Sequence, residues 1–185
     1  YEFVLVDKLL NSNHSEPLVV NTLYASHGES DLQMTHFYNV AVDHSCRHSY
    51  GLIMQFSNGI KIVYSGDTRP CQQLIEAGMN ATVLIHEATF EDTLQDEAIK
   101  KKHSTTKEAV TSGMQMNAYR IMLTHFSQRY PKVPVFDDED MKGSATNRSC
   151  IAFDMMRVSL NSLPYAPAII PSVQELFAEE ISEQQ

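Results

Sequence analysis

Residues 60–71 read IKIVYSGDTRPC, and this stretch places a carboxylate directly after a short apolar run. Residues 62–64 predict a buried strand, and Ser65-Gly66 allows the backbone to turn closely at the end of that strand. Asp67 would then lie at a strand terminus, beside whatever cleft opens above the sheet. A carboxylate in this place can bind one metal ion or bridge two ions about 3.5–4 Å apart. A lone Gly-Asp-Thr is more often an ordinary turn, and the metal interpretation therefore depends on the neighbouring motifs.

Length and composition restrict the class of protein. The chain has 185 residues and does not begin with Met, and we expect one domain or part of a larger one, taken from a longer protein. It has no run of about eighteen apolar residues and no signal-peptide pattern at its start, and we predict no membrane partner. Its three cysteines are odd in number and widely spaced, which favours reduced thiols in an intracellular compartment. Because the net charge is −9, an RNA substrate would need a local basic patch or a basic surface from another part of the protein.

Short strands and helices alternate along most of the chain. Residues 51–56 and 60–64 predict a hairpin, because the Asn58-Gly59 pair between them favours the tight turns of antiparallel strands. Thr105 and Glu108 have the spacing of a capping box. Further strands are predicted at 3–6, 18–20, 81–85, 120–123 and 151–160, with one more from 39 that ends in a histidine-bearing turn before 51. Helices are predicted at 72–77, 91–102, 105–117 and 173–178. The other expected segments are a flexible loop at 137–149, an extended stretch around the prolines at 164, 167 and 171, and an acidic tail at 179–185.

Histidine and carboxylate side chains collect at the ends of these predicted strands: His44, Asp67, His86, Glu87, His103 and His125. Residues in such positions of a layered α/β fold face a common cleft at one edge of the sheet. Imidazole and carboxylate ligands suit zinc, manganese or iron, and zinc is the first choice because only Cys46 offers a thiolate nearby. Three ligands from this set would not complete a site for two metal ions. The other histidines and cysteines are interpreted as ordinary surface or loop residues (His14, His27 and His36) or as small buried side chains (Cys46 and Cys71).

Five motifs carry a resemblance to a known family: VDHSCRHSYG at 42–51, YSGDTRPC at 64–71, LIHEATFED at 84–92, KKHSTT at 101–106 and LTHFSQRY at 123–130. In this order and spacing, residues 35–180 resemble the carboxy-terminal part of the catalytic half of long-form tRNase Z, an endoribonuclease of the metallo-β-lactamase superfamily. HEATFED and HFSQRY are specific to this family within the superfamily. The resemblance implies an α/β fold, the carboxy-terminal part of a metallo-β-lactamase αββα sandwich, with residues 1–185 as a partial domain.

The resemblance also implies an activity and a division of roles. Family members cut precursor tRNA on the 3′ side of the discriminator nucleotide, and water activated by two zinc ions is the nucleophile. Asp67 is implied to bridge the two ions, with His44 on one and His125 on the other. His103 matches the proton donor to the leaving 3′-oxygen, and Glu87 matches the carboxylate that orients it. Three further residues are expected to contact the substrate: Thr68, Ser127 and Arg129. The lysines at 100–102 either meet phosphates or form a solvated face.

The chain departs from the family pattern in two places. It lacks the His-x-His-x-Asp-His motif, which supplies three ligands and a catalytic aspartate and lies upstream of this region in family members. We expect the upstream part of the same polypeptide to complete the site, and this chain alone to bind zinc weakly and not to cleave. The segment 44–51 is one residue longer than the usual spacing, which makes His48 an alternative ligand to His44. His86 either supports the ligands or is structural.

Two other functions compete with this interpretation. One is a different hydrolase of the superfamily, a phosphodiesterase or thioesterase, against which the family-specific motifs weigh. The other is a non-catalytic scaffold fragment, and a decayed site would have no physical reason to keep Asp67, His103 and His125 together. The resemblance and the reduced thiols predict the nucleus, the mitochondrion or both as the location.

Overall fold

A six-stranded sheet forms the centre of the computed structural model, which describes residues 33–127 and 147–169. The strands follow chain order across the sheet: β1 (Met34–Ala41), β2 (Tyr50–Phe56), β3 (Lys61–Tyr64), β4 (Val83–Glu87), β5 (Arg120–Thr124) and β6 (Ser149–Ile151). Strands β1, β2 and β3 pair antiparallel, whereas β3, β4, β5 and β6 pair parallel. The mixed α/β fold is therefore confirmed, with an antiparallel hairpin at one end of a parallel sheet.

The hairpin between β2 and β3 forms where the Asn-Gly turn predicted it. Gly59 has a φ of 85°, a left-handed conformation that glycine adopts without steric cost. Its N–H donates to the Phe56 carbonyl oxygen over 2.9 Å, which closes the turn. The register that follows pairs Ile53 with Val63, and both side chains are completely buried. The turn thus fixes which residues of β3 face the core, and with them the exit of the strand towards Asp67.

Within the described residues, three α-helices connect β3 to β4 and β4 to β5. Helix α1 (Gln72–Ala77) joins β3 to β4 and ends at Gly78, as predicted. Helix α2 (Gln95–Lys101) follows a 3-10 turn at Asp92–Leu94 instead of starting at 91. Helix α3 (Thr106–Gln115) begins with the predicted capping box, in which the Thr105 hydroxyl accepts from the Glu108 N–H and the Glu108 carboxylate accepts from the Thr105 N–H. This box fixes the direction in which the chain enters α3 from residue 103.

Apolar side chains pack on both faces of the parallel strands. One cluster joins the sheet to helices α1 and α3 through Leu84, Ile121, Leu123, Leu74 and Val110. The other cluster consists of Val83, Met122, Cys150, Leu163 and Ala166. Successive residues of a strand face opposite sides, and the two clusters therefore cover opposite faces of β4 and β5. Burial on both faces explains why these strands read as continuous apolar runs.

The segment after β6 differs from the prediction. The strand expected at 151–160 is only Ser149–Ile151, and the expected extended stretch is a 3-10 helix at Leu160–Ala168 that contains Pro164 and Pro167. Proline fixes φ near −65°, which suits a 3-10 helix as well as an extended chain. Leu163 and Ala166 of this helix are buried against the second cluster, and this burial selects the helical alternative.

Other boundaries shift by a few residues, and some predictions lie outside the described residues. Strand β1 begins at Met34 instead of 39. Strand β4 occupies 83–87 instead of 81–85, because its pairing with β5 continues to Glu87. The strands predicted at 3–6 and 18–20, the helix at 173–178, the tail at 179–185 and residues 137–146 of the expected loop fall outside 33–127 and 147–169. Across the part of the chain that the structure describes, no helix has the length and apolarity to cross a membrane.

Candidate active site

The candidate site lies at one edge of the sheet, where four strands end. Strands β1, β3, β4 and β5 run in the same direction, since β1 and β3 are both antiparallel to β2. Their carboxyl ends therefore meet at the same edge. Each end is followed by, or carries, one residue of the predicted set: His44 after β1, Asp67 after β3, Glu87 at the end of β4 and His125 after β5. His103 joins them from the connection between α2 and α3.

Asp67 depends on a close backbone approach by the preceding glycine. Gly66 has a φ of 62°, and a Cβ atom on it would lie 2.7 Å from the Tyr50 carbonyl oxygen. Only glycine fits this combination of left-handed backbone and close contact without strain. The turn presents the Asp67 side chain, which is 40% exposed, with an oxygen 3.5 Å from His125 Nδ1.

Glu87 is the buried carboxylate that organises the site. Its side chain is nearly inaccessible to solvent, and both carboxylate oxygens accept hydrogen bonds. Oε1 accepts from the Thr68 N–H over 2.7 Å and lies 2.8 Å from His103 Nδ1. Oε2 accepts from the Thr89 hydroxyl over 2.6 Å and from the Thr89 N–H over 3.2 Å. Four donors from three segments compensate the cost of burying this charge.

These contacts set the tautomers of the three site histidines. His103 Nδ1 faces a carboxylate and His44 Nδ1 lies 2.8 Å from the Lys102 carbonyl oxygen, and neither partner has a proton to give. Thr89 already donates to Glu87, so its oxygen accepts from His125 Nδ1 over 2.9 Å. All three rings therefore carry their proton on Nδ1 when neutral, which leaves the lone pair on Nε2. A hydrogen bond from Nδ1–H to an oxygen acceptor orients the ring and leaves Nε2 free to bind a metal ion.

Two groups of side chains in the described residues have the composition and spacing of a metal site. His44, Asp67 and His103 form one group, and Glu87, His103 and His125 form the other, with candidate ligand atoms no more than 4.8 Å apart within each group. The rings of His44 and His103 have centroids 4.8 Å apart, and those of His103 and His125 are 5.6 Å apart. Imidazole nitrogen and carboxylate oxygen suit zinc. The residue types and tautomers fit the metal, although they supply too few ligands for two ions.

The structure places His44 and His48 in different surroundings and defines those of His86. His44 lies in the cluster, whereas His48 is exposed and belongs to neither metal group. His86 is buried beneath the site, and its Nδ1 lies 2.7 Å from the Glu87 carbonyl oxygen. Burial lowers the pKa of His86 below its ordinary value of 6.5, and this hydrogen bond offsets the effect only in part. The ring is enclosed and bonded to the segment that carries Glu87, and both alternatives for His86, support of the site or a structural role, stay predictions.

Several predicted residues occupy other positions than expected. Thr68, predicted to contact substrate, is completely buried, and its hydroxyl donates to the Arg69 carbonyl oxygen over 2.7 Å, because this bond and the N–H contact to Glu87 turn it inwards. Cys71 is buried as predicted, whereas Cys46 is exposed because it lies in the turn between β1 and β2. His36, interpreted as a surface or loop residue, lies half-buried within β1.

Of the remaining predicted contacts, Ser127 and the lysines at 100–102 lie in the described residues. The Ser127 N–H donates to the Thr89 carbonyl oxygen over 3.2 Å, and Arg129 falls outside the described residues, as do His14 and His27. In the lysine run, Lys102 pairs with Asp43 over 2.8 Å and Lys101 with Glu97 over 3.9 Å. These two lysines are therefore engaged with acidic neighbours.

Sequence reasoning missed residues that support the site. The Thr89 hydroxyl hydrogen-bonds to both Glu87 and His125. Its position in the HEATFED motif is the sequence feature that could have indicated this role. The Ser65 hydroxyl is uncharged and accepts a hydrogen bond from the Glu87 N–H over 3.0 Å. Arg69 binds both Glu108 and the His103 carbonyl oxygen. Thr89 lies two residues from Glu87, and only this contact is local. The other contacts join residues 22, 34, 36 and 39 positions apart, and nothing in local periodicity indicates them.

Comparisons with known proteins show what the chain is similar to. Zinc phosphodiesterase ELAC protein 2 of Macaca fascicularis is 50% identical over 138 residues, which are 75% of this chain and 16% of that protein. The mitochondrial tRNase Z TRZ3 of Arabidopsis thaliana is 47% identical over 148 residues, with the same two coverages of 75% and 16%. This chain therefore spans only 16% of the length of either relative. No family model matches the chain.

Solved structures agree with the sequence comparison. A long-form RNase Z from yeast matches with a TM-score of 0.72 and 38% identity, covering 83% of this chain and 21% of that chain. The metallo-β-lactamase fold protein YhfI from Bacillus subtilis matches with a TM-score of 0.50 and 20% identity, covering 63% of this chain and 46% of that one. The second similarity concerns the fold alone.

Proposed function

Because the chain belongs to the tRNase Z family of the metallo-β-lactamase superfamily, we propose that it forms part of a zinc-dependent endoribonuclease that removes the 3′ trailer of precursor tRNA. Cleavage would fall on the 3′ side of the discriminator nucleotide. The upstream part of the same polypeptide would supply the missing ligands, since this chain lacks a His-x-His-x-Asp-His motif. Alone, the chain would bind zinc weakly and would not cleave.

One observation carries the proposal. His44, Asp67, Glu87, His103 and His125 come from five separate segments and meet at one edge of the sheet. Their combination of imidazoles with one buried and one exposed carboxylate is costly to assemble, because the buried charge must be satisfied by four donors. Such an arrangement supports a catalytic role more strongly than a scaffold role.

Asp67, His44 and His125 are the residues that would hold zinc. Asp67 lies in a group with His44, and its carboxylate is 3.5 Å from the Nδ1 side of the His125 ring, so that the three side chains are close enough to share a metal centre and Asp67 would be the carboxylate common to two ions. The Nδ1 contacts of both histidines leave Nε2 as the ligand atom. When bound, zinc supplies Lewis-acid stabilisation of phosphate charge and activates water at neutral pH.

His103 is the group suited to protonate the leaving 3′-oxygen. Its Nδ1–H donates to Glu87, so that Nε2 is the atom that would carry the transferred proton. The Glu87 carboxylate stabilises the positive charge of the ring when both nitrogens are protonated. Burial of Glu87, fixed by Thr68 and Thr89, keeps the His103 ring in one orientation for this transfer.

The proposal is tested by zinc analysis and precursor-tRNA cleavage on this chain, on the upstream part, and on their mixture. We expect stoichiometric zinc and cleavage only in the mixture. If this chain alone held two zinc ions or turned over precursor tRNA, the assignment of ligands would be wrong. A thioester and a simple phosphodiester serve as parallel substrates, because hydrolysis of either without tRNA cleavage would indicate another hydrolase of the superfamily. A mixture that binds no zinc would indicate a scaffold.

The location follows from the relatives and not from the structure. The Arabidopsis thaliana relative is named as mitochondrial, and this supports a mitochondrial site of action. Nuclear location stays a prediction. Fractionation of cells that express the complete polypeptide distinguishes the two compartments.

A further inference from the structure

We propose that Arg69 is a positioning residue that holds the His103 loop at a fixed distance from the Asp67 loop. This inference rests on the function proposed above, in which His103 protonates the leaving group. Arg69 lies two residues after Asp67, and its side chain is 16% exposed. Its guanidinium contacts the connection between α2 and α3, which carries His103.

The guanidinium divides its donors between two partners. Nη1 donates to the His103 carbonyl oxygen over 2.6 Å and to Glu108 Oε2 over 2.7 Å. Nη2 donates to Glu108 Oε1, which completes a bidentate ion pair. The pair is geometrically specific, because a planar guanidinium matches both carboxylate oxygens and lysine does not.

Glu108 extends this contact into the start of helix α3. The same carboxylate accepts from the Thr105 N–H over 2.9 Å as part of the capping box. Burial favours the neutral acid, but the hydrogen bonds from Arg69, Thr105 and Gln95 outweigh it and lower the pKa of Glu108. Arg69 therefore hydrogen-bonds to the main chain of His103 and, through Glu108, to the first turn of helix α3, which begins three residues later.

Main-chain contacts place Arg69 at a junction of the site loops. The Arg69 N–H donates to the carbonyl oxygen of Asp43, the residue before His44, over 2.8 Å. Next to it, the Ser104 hydroxyl donates to the Thr68 carbonyl oxygen over 2.6 Å. The loops that carry His44, Asp67 and His103 are thus tied through one short segment, and the side chain of Arg69 provides its charged contact to the His103 loop.

The decisive experiment compares two leaving groups in the assembled enzyme, this chain combined with the upstream part. When precursor tRNA is cleaved, the leaving group is a ribose 3′-oxygen, which needs a proton. When bis(p-nitrophenyl) phosphate is cleaved, the leaving group is p-nitrophenolate, which leaves without one. A positioned acid contributes about 10²–10⁴-fold to proton-dependent steps. We therefore expect Arg69→Met to lower kcat for precursor tRNA roughly 10- to 100-fold more than kcat for the ester, with KM for tRNA little changed. Arg69→Lys should recover only part of the loss, since it cannot serve both partners.

Arg120→Met is the matched control. Arg120 is also buried and also holds carbonyl oxygens, those of Leu163 and Pro164 over 2.7 and 2.9 Å, but on the other face of the sheet. We expect Arg120→Met to lower kcat for precursor tRNA and for the ester by the same factor, because it destabilises the fold without moving His103. Equal losses on the two substrates for Arg69→Met, or no loss on either, would overturn the positioning role.

Amide hydrogen exchange on this chain examines the contact without nuclease activity. We expect Arg69→Met to speed exchange of the Thr105 and Thr106 amides about tenfold and Arg120→Met to leave them unchanged. Unchanged exchange in Arg69→Met would show that the side chain does not hold this loop. If no preparation cleaves precursor tRNA, the proposed function fails, and the exchange result alone decides whether Arg69 fixes the loop.

Discussion

Replacement of Gly66 by alanine tests whether a close backbone approach places Asp67. Gly66 has a φ of 62°, and an added Cβ would lie 2.7 Å from the Tyr50 carbonyl oxygen. Tyr50 cannot move aside easily, because it opens strand β2 and pairs with Ala41 of β1. The substitution therefore combines two costs, a strained backbone and a steric overlap with a fixed main chain.

The magnitude follows from these two terms. A left-handed conformation costs a non-glycine residue about 1–2 kcal/mol. Overpacking against a rigid neighbour costs about 1–3 kcal/mol more. Gly66→Ala should thus lower the free energy of unfolding by roughly 2–5 kcal/mol. Gly59→Ala is the matched control, because Gly59 has a φ of 85° but no atom within 4 Å of an added Cβ, which leaves only the first term.

Urea unfolding of the parent chain and both variants measures the difference. We expect the Gly66→Ala midpoint to fall clearly below that of Gly59→Ala, with similar m-values. In the assembled enzyme, Gly66→Ala should also weaken zinc binding, whereas Gly59→Ala should not. Equal destabilisation by the two substitutions would refute the argument, since it would mean that contact with Tyr50 has no energetic consequence.

Three further predictions concern the site, the thiols and pH. Asp67→Ala in the assembled enzyme should abolish cleavage while tRNA binding, measured by gel shift, persists; near-normal turnover would exclude a bridging role. Cys46 is exposed and should react with iodoacetamide in the folded chain, whereas Cys150 should not, because burial raises the pKa of its thiol to about 11; mass spectrometry locates the label. The pKa of Glu108 is lower in the folded chain than its ordinary value of 4.5, so the ionised carboxylate stabilises the fold above pH 4.5, and this stabilisation is lost as pH falls through the folded-state pKa. Glu108→Gln should therefore reduce the loss of unfolding free energy on acidification, measured by urea unfolding at several pH values. An unchanged pH dependence would contradict this.

Features that depend on neighbours in sequence could be predicted. The hairpin follows from Asn58-Gly59 alone, and the start of helix α3 follows from the spacing of Thr105 and Glu108. The turn before Asp67 was also readable, because Ser65-Gly66 directly follows an apolar strand. In each case a local conformation, left-handed at Gly59 or Gly66 and capped at Thr105, decides the structure.

Features decided by tertiary partners could not be predicted in the same way. Strand β4 extends to Glu87 because β5 offers Thr124 as a pairing partner, although His86 and Glu87 are polar. The proline-containing segment at 160–168 is helical because Leu163 and Ala166 find an apolar surface on the sheet. Thr68 was expected to contact substrate, yet its N–H donates to Glu87 and its side chain is enclosed.

The site itself combines both kinds of information. Residue type identified His44, Asp67, His103 and His125 as candidates, but the chemistry depends on which nitrogen of each ring is free. That choice is made by acceptors from other segments, the Lys102 carbonyl, the Glu87 carboxylate and the Thr89 hydroxyl. Lys102 can offer its carbonyl because it adopts a left-handed φ of 58° at the end of α2. This chain therefore fixes the orientation of its own histidines through contacts among its described residues, and rings that are already oriented would lose little conformational freedom on binding a metal ion.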